Sequence, residues 1–282
     1  MTTFVADSAP NETVQGTSAN FTYRRFGPRG GVPLVLLHRF RGTIDWWDPE
    51  FLEYLAKDHD VILFDNIGVG YSSGEPLTTV EDYADGAAEF IGMLKLEQVD
   101  LLGWSLGGVI SQLVVFRHPN LVRRLIVAGS QPPGSVPEVR ATNPPEVEAI
   151  MVKDEASDED LKFLFYPRTK EGVAAGDRHL RNINTRGVPK LASSETAAGQ
   201  FQAIGALFSQ PFEPVLEQLS KITQPVLYAN GVHDVMIDSR ASVVAVENLP
   251  NATLLLYSDA GHAFLFQHDA EFAEQVRLFL AA

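Results

Sequence analysis

Cysteine is absent from this chain of 282 residues. That removes disulfide bridges, thiolate metal sites and a cysteine nucleophile together. Basic residues are also scarce: 22 Lys and Arg face 36 Asp and Glu, for a formal net charge of −14. Nucleic acid and anionic membrane surfaces are therefore poor partners, because each phosphate contact has to overcome a repulsive field. Long apolar runs are missing too. The longest are of strand length or carry charge, far short of the roughly 20 residues of a membrane span. The first sixteen residues show neither a basic start nor an apolar stretch of signal-peptide kind. A cytoplasmic chain is expected, acting on a small-molecule substrate rather than on nucleic acid or membrane, as a monomer or homodimer.

What is present belongs to a folded chain. Apolar residues make up 45% and charged residues 21%, too apolar for disorder and long enough for one large domain with a sizeable core. Strand and helix periodicities alternate, the pattern of an α/β sheet. Strands are expected at 14–18, 20–26, 33–37, 61–64, 99–102 and 125–128, then at 225–228 and 253–257. Helices are expected at 46–57, 80–96, 106–117, 239–248 and 269–280. The run Pro33-Leu-Val-Leu-Leu37 is continuously apolar, as in a strand covered on both faces. After Ser130 the alternation stops. Pro132-Pro133-Gly134 and Pro144-Pro145 punctuate the chain, and no buried strand run follows until 225. The organisation predicted is a mostly parallel central β-sheet flanked by helices, formed by 20–132 and 215–282, with a helical lid inserted at 133–214. Helical pieces at 146–152 and 158–165 fit that lid, whose Leu164, Phe165 and Phe201 are candidates for an apolar pocket or for lid core.

The segment richest in chemistry is Gly103-Trp104-Ser105-Leu106-Gly107, set between an expected strand and an expected helix. In that context G-x-S-x-G is a nucleophile elbow. The sharp turn strains the serine backbone and crowds neighbouring chain, so the positions two before and two after it must lack bulk. Ser105 then stands at a helix N-terminus, whose unpaired N–H groups can meet a developing oxyanion. A serine needs a base, and the base an orienting acid. His59, His118 and His179 lie in charged helix ends or in the lid and read as surface residues. His262 follows the strand at 253–257 and a turn, at the carboxyl end of the sheet where sites on open α/β sheets lie. Asp234, just after the strand at 225–228, is the candidate acid. Asp238 and His233 are near rivals, and Asp259 is expected on the wrong side of its turn. The order Ser105, Asp234, His262 is the one this architecture uses. The backbone N–H groups of Phe40 and Leu106 are the candidate oxyanion donors, and His38 is expected to hold its loop structurally.

These residues together resemble the α/β-hydrolase superfamily, in its lid-bearing serine branch of esterases, lactonases, C–C bond hydrolases and cofactor-free haloperoxidases. The resemblance runs from about residue 20 to the end. It is carried by His38–Gly42, Asp65–Ser72, Gly103–Gly108, Gly231–Asp234 and Asp259–His262. It implies a Ser105-His262-Asp234 triad, an acyl-enzyme intermediate and no metal or organic cofactor. Two positions depart from the family pattern. Arg39 replaces the oxyanion-loop glycine, and Ile67 stands where a structural turn usually has arginine. Arg39 or Arg41 is expected either to reach the site mouth and favour an anionic or carbonyl-rich substrate, or to point to solvent; Trp104 and Phe264 are further substrate-binding candidates. Hydrolysis of a small or medium carboxylic ester or lactone is the expected activity. A haloperoxidase or perhydrolase, a C–C bond hydrolase and a slow-turnover, receptor-like member remain the alternatives.

Overall fold

A computed structural model describes residues 4–137, 139–140 and 143–282. Residues 138, 141 and 142 of the expected lid lie outside the described residues. Eight strands form one sheet: β1 (Glu12–Gln15), β2 (Asn20–Phe26), β3 (Leu34–Leu37), β4 (Val61–Phe64), β5 (Val99–Trp104), β6 (Val122–Ala128), β7 (Val226–Gly231) and β8 (Ala252–Tyr257). Their spatial order is β1-β2-β4-β3-β5-β6-β7-β8. The β1–β2 and β2–β4 pairs are antiparallel and the remaining pairs parallel. The pleat explains the apolar run of β3. Val35 and Leu37 join one buried cluster with Ile62 and Phe64, while Leu34 and Leu36 join another with Val61 and Leu63. A strand covered on both faces has no polar side to display.

Helices α1 (Val5–Ser8), α2 (Pro49–Leu55), α3 (Val80–Met93) and α4 (Leu106–Arg117) belong to the first half of the chain. Between β6 and β7 run α5 (Pro145–Met151), α6 (Asp158–Phe165), α7 (Lys170–Ile183), α8 (Ser194–Phe208) and α9 (Glu213–Leu219). The chain ends with α10 (Arg240–Asn248), α11 (Phe264–Gln267) and α12 (Asp269–Ala281). Residue 214, the expected end of the insertion, falls inside α9. The inserted helices divide between the two faces. Val147, Leu161, Phe165 and Ile183 pack with the α2 and α12 side, whereas Ala203, Leu207, Val215 and Leu219 pack with α3 and α4. The insertion thus straddles the sheet.

Several local readings change. The helix expected from 46 starts at Pro49, because Ile44–Trp46 forms a 3₁₀ turn and the Asp48 side chain caps Glu50 N. Proline at the first helical position fits that start. Helices α7 and α8 fall within the expected helical lid, although the sequence does not place them individually. The buried side of α7 is Gly172, Ala175, Gly176, His179 and Ile183, which has helical spacing but almost no apolar bulk for periodicity to register. His179, expected at the surface, is only 2% exposed. Its Nδ1 lies 2.9 Å from Asp48 Oδ2, and its ring stacks on Phe266 at 4.6 Å.

Candidate active site

Ser105 occupies the junction of β5 and α4 with φ 58° and ψ −122°, a left-handed backbone that a non-glycine residue adopts only under constraint. The constraint is visible. Ser105 N donates to Ala128 O at 2.9 Å, and Ser105 O accepts from Gly108 N at 2.8 Å and Ser130 Oγ at 2.7 Å. The flanking glycines are needed for close approach. A Cβ on Gly103 would sit 2.2 Å from Gly107 O, and one on Gly107 would sit 2.1 Å from Leu37 O.

Asp234 and His262 come from the loops after β7 and β8, which are neighbours in the sheet. Val232 N donates to Tyr257 O and His233 N to Ala260 O, each at 2.9 Å. That cross-loop lacing brings the two side chains together, with His262 Nδ1 2.7 Å from Asp234 Oδ2. The other carboxylate oxygen accepts from Met236 N at 2.8 Å and Ile237 N at 2.9 Å. Both acceptor ends are therefore occupied, and the imidazole meets a carboxylate that cannot swing away. A carboxylate only accepts, so Nδ1 carries a proton, and in the neutral imidazole Nε2 keeps its lone pair. Nε2 is buried and has no protein partner among the described residues. His262 and Ser105 border the same cavity, about 210 Å³ in volume. The rivals are placed elsewhere: Asp238 caps Arg240 N at 3.0 Å, His233 is exposed, and Asp259 pairs with His268 at 2.9 Å.

The loop after β3 supplies the rest. His38 Nδ1 accepts from Arg39 N at 2.7 Å, and the ring packs edge-on against Trp47 and Trp104. Burial, and then the charge of Arg39, hold the His38 pKa well below its ordinary value, so the ring is neutral. Gly42 lies against it; a Cβ there would be 1.9 Å from Nδ1. The arginine that replaces the family's glycine is not the strained residue of the loop. Arg41 is, with φ 60°; its N donates to Gln200 Oε1 at 2.8 Å and its guanidinium to the carbonyls of Lys153 and Asp154. The N–H groups of Phe40 and Leu106 make no hydrogen bond among the described residues, and both residues are buried. Ile67, the second departure, is buried in the core of its turn.

Arg39 borders the cavity. Trp104 and Phe264, expected at the substrate, are corrected: both are 0% exposed and outside the cavity wall. The β5 pleat turns Trp104 to the face covered by Phe266, where its Nε1 donates to His262 O at 3.0 Å. Phe264 begins α11 and stacks on Tyr257 at 5.1 Å. Leu164 and Phe165 line the cavity, as do Ile150, Met151 and Leu161 of the insertion; Phe201 lies outside it. Sequence reasoning missed Met236 and Ile237 as anchors of Asp234, although an Asp whose side chain caps the N–H groups two and three residues on is a known turn device. It also missed Gln200 and the Phe165 carbonyl, which accepts from Ala263 N at 3.0 Å. No local signal points to either.

Comparison with known proteins agrees with this architecture. A family profile described as the alpha/beta hydrolase fold matches residues 32–269. A non-heme chloroperoxidase of Streptomyces lividans is 27% identical, covering 91% of this chain and 93% of that protein. A 2-hydroxymuconate semialdehyde hydrolase of Pseudomonas sp. (strain CF600) is also 27% identical, covering 89% of this chain and 87% of its own. Among solved structures, an alpha/beta hydrolase fold protein from Chitinophaga pinensis superposes with a TM-score of 0.88 at 31% identity, covering 98% of each chain. With the fold, the elbow and a profile match over most of its length, the chain belongs to the alpha/beta hydrolase fold family.

Proposed function

We propose that this protein is a serine hydrolase of small or medium carboxylic esters or lactones, with Ser105 as nucleophile, His262 as base and Asp234 as its orienting acid. The observation that carries the reading is the state of His262. One ring nitrogen is held by a doubly anchored carboxylate, and the other is unpartnered beside the cavity that Ser105 borders. In the first step Ser105 Oγ attacks the substrate carbonyl while its proton passes to His262 Nε2. The N–H groups of Phe40 and Leu106 receive the oxyanion, each contributing about 3 kcal/mol in comparable sites. The tetrahedral intermediate then expels the alkoxide, which takes the proton from Nε2, and an acyl-Ser105 ester remains. Water attacks that ester with the same base, releases the acid and restores Ser105. The cavity volume of about 210 Å³ lies below the roughly 300–1,000 Å³ of most ligand sites, in keeping with a small acyl group. The inserted helices between β6 and β7 serve as the lid over it, and the partner is a small-molecule substrate.

The test is hydrolysis of p-nitrophenyl butyrate by the native enzyme and by Ser105→Ala, following burst and steady state. Repeated turnover that falls at least 10⁴-fold in the variant (order of magnitude) is the expected result. A burst without turnover refutes the enzymatic reading and leaves the receptor-like one. The resemblance to a chloroperoxidase favours one second reading, perhydrolysis on the same serine. Peroxide-dependent bromination in acetate, lost in Ser105→Ala, distinguishes it.

A further inference from the structure

Arg39 brings a positive charge into the cavity beside Ser105 and His262. Nη1 donates to Phe40 O at 2.8 Å. Nε is buried without a partner, and no carboxylate of the described residues lies within 4.0 Å of the guanidinium. Its surroundings are aromatic: the guanidinium carbon stands 5.0 Å from the Trp46 ring and 5.0 Å from the Phe165 ring. By contrast, Arg24, Arg25 and Arg123 face the carboxylates of Asp45, Asp60 and Asp100. The other charges bordering the cavity do not supply the missing partner. Arg41 is committed to the carbonyls of Lys153 and Asp154, and Glu155 and Asp158 are exposed to solvent. Burial, and then Arg41, pull the Arg39 pKa down to about 9, which leaves it cationic at neutral pH.

A buried guanidinium lacking a counter-charge is unfavourable unless something negative fills the space. Its Nη2 group makes no hydrogen bond among the described residues and is not among the buried atoms, so it is the donor that a carboxylate in the cavity meets with a charge-assisted hydrogen bond. We propose that Arg39 anchors a carboxylate carried by the acyl part of the substrate, so that the enzyme prefers acyl groups ending in an anion. This deepens the serine-hydrolase reading and rests on it for the identity of the scissile bond.

Two readouts test it. The first compares kcat/KM for p-nitrophenyl hydrogen adipate and its amide-terminated neutral analogue, corrected for spontaneous hydrolysis, in the native enzyme and in Arg39→Met. The native enzyme is expected to favour the anionic ester by tenfold or more, and the variant to bring that ratio to one or below. A role confined to shaping the Phe40 loop lowers both rates and leaves the ratio unchanged, which overturns the proposal. The second readout needs no turnover: calorimetric binding of adipate and of adipamide to Ser105→Ala, with and without Arg39→Met. Tighter binding of adipate by tenfold or more, lost on removal of Arg39, supports the anchor even if no ester is cleaved, in which case the hydrolase reading alone fails. Equal binding of the two ligands refutes the anchor. Arg39→Gln replaces Arg39→Met if the latter does not fold.

Discussion

Asp234 shows how much of the candidate site is decided by single atoms. Oδ2 faces His262 Nδ1, while Oδ1 is taken by two backbone N–H groups. In Asp234→Asn the oxygen keeps the backbone bonds and the amide nitrogen is turned toward the ring. An N–H facing Nδ1 selects the opposite tautomer, with the proton on Nε2, where it cannot accept one from Ser105. We expect kcat on p-nitrophenyl butyrate to fall about 10⁴-fold, with a melting temperature close to that of the native enzyme because the shape is conserved. Retention of activity within tenfold would show that Asp234 is not the orienting acid. The elbow glycines were legible in sequence for a related reason: only a missing Cβ fits a 2.1 Å approach to Leu37 O.

At the scale of elements, α3 and α4 are pinned at one end by Asp85. Its carboxylate meets Arg117 through Nε at 2.8 Å and Nη2 at 2.5 Å, and His118 Nε2 at 2.8 Å. The Arg117 hydrogen bonds, first among the causes, pull the Asp85 pKa down to about 2. A pKa lower in the folded than in the unfolded chain contributes stability above the unfolded value, near 4, and the contribution disappears as pH falls toward 2. Both side chains are over 40% exposed, so screening holds it below about 1 kcal/mol. Urea titrations should find Asp85→Asn less stable than the native protein by that small margin at pH 6, with the gap closed at pH 2. A gap of the same size at both pH values would assign the effect to something other than ionisation. The same scale explains which helices the sequence revealed. Helix α3 buries Val80, Tyr83, Ala84, Ala87, Phe90 and Ile91 at helical spacing, whereas α7, apart from Ile183, buries glycine, alanine and histidine.

Across the whole molecule, the inserted helices are tied to the sheet domain by polar contacts between distant segments. His179 of α7 meets Asp48, the cap of α2, and Asn182 reaches the same carboxylate at 3.1 Å. The two side chains of the pair are 3% and 1% exposed. Removing His179 leaves the buried Asp48 Oδ2 without its hydrogen-bond donor, while Oδ1 keeps Glu50 N and Asn182. His179→Ala is therefore expected to lower unfolding stability by about 1–3 kcal/mol, read as a reduced denaturant midpoint. A change within 0.5 kcal/mol, the rough range of surface substitutions, would mean that α7 is held by its apolar contacts alone.

The sequence by itself determined the layered α/β architecture, the elbow serine and the histidine after the last strand. Each rests on a local rule: pleat and helix periods, a steric demand for glycine, the position of a loop along a strand. Only the tertiary structure decided what depends on chain segments far apart in sequence. It brought Asp234 rather than Asp238 to His262 through lacing of the β7 and β8 loops. It turned Trp104 away from the cavity, because the pleat alternates and α11 covers that face. It moved His179 from the expected surface into a buried pair, and it left Arg39 facing aromatic rings with no carboxylate partner among the described residues. Periodicity reports how much apolar surface a segment must hide, but the partner of a polar side chain is set by which segments meet.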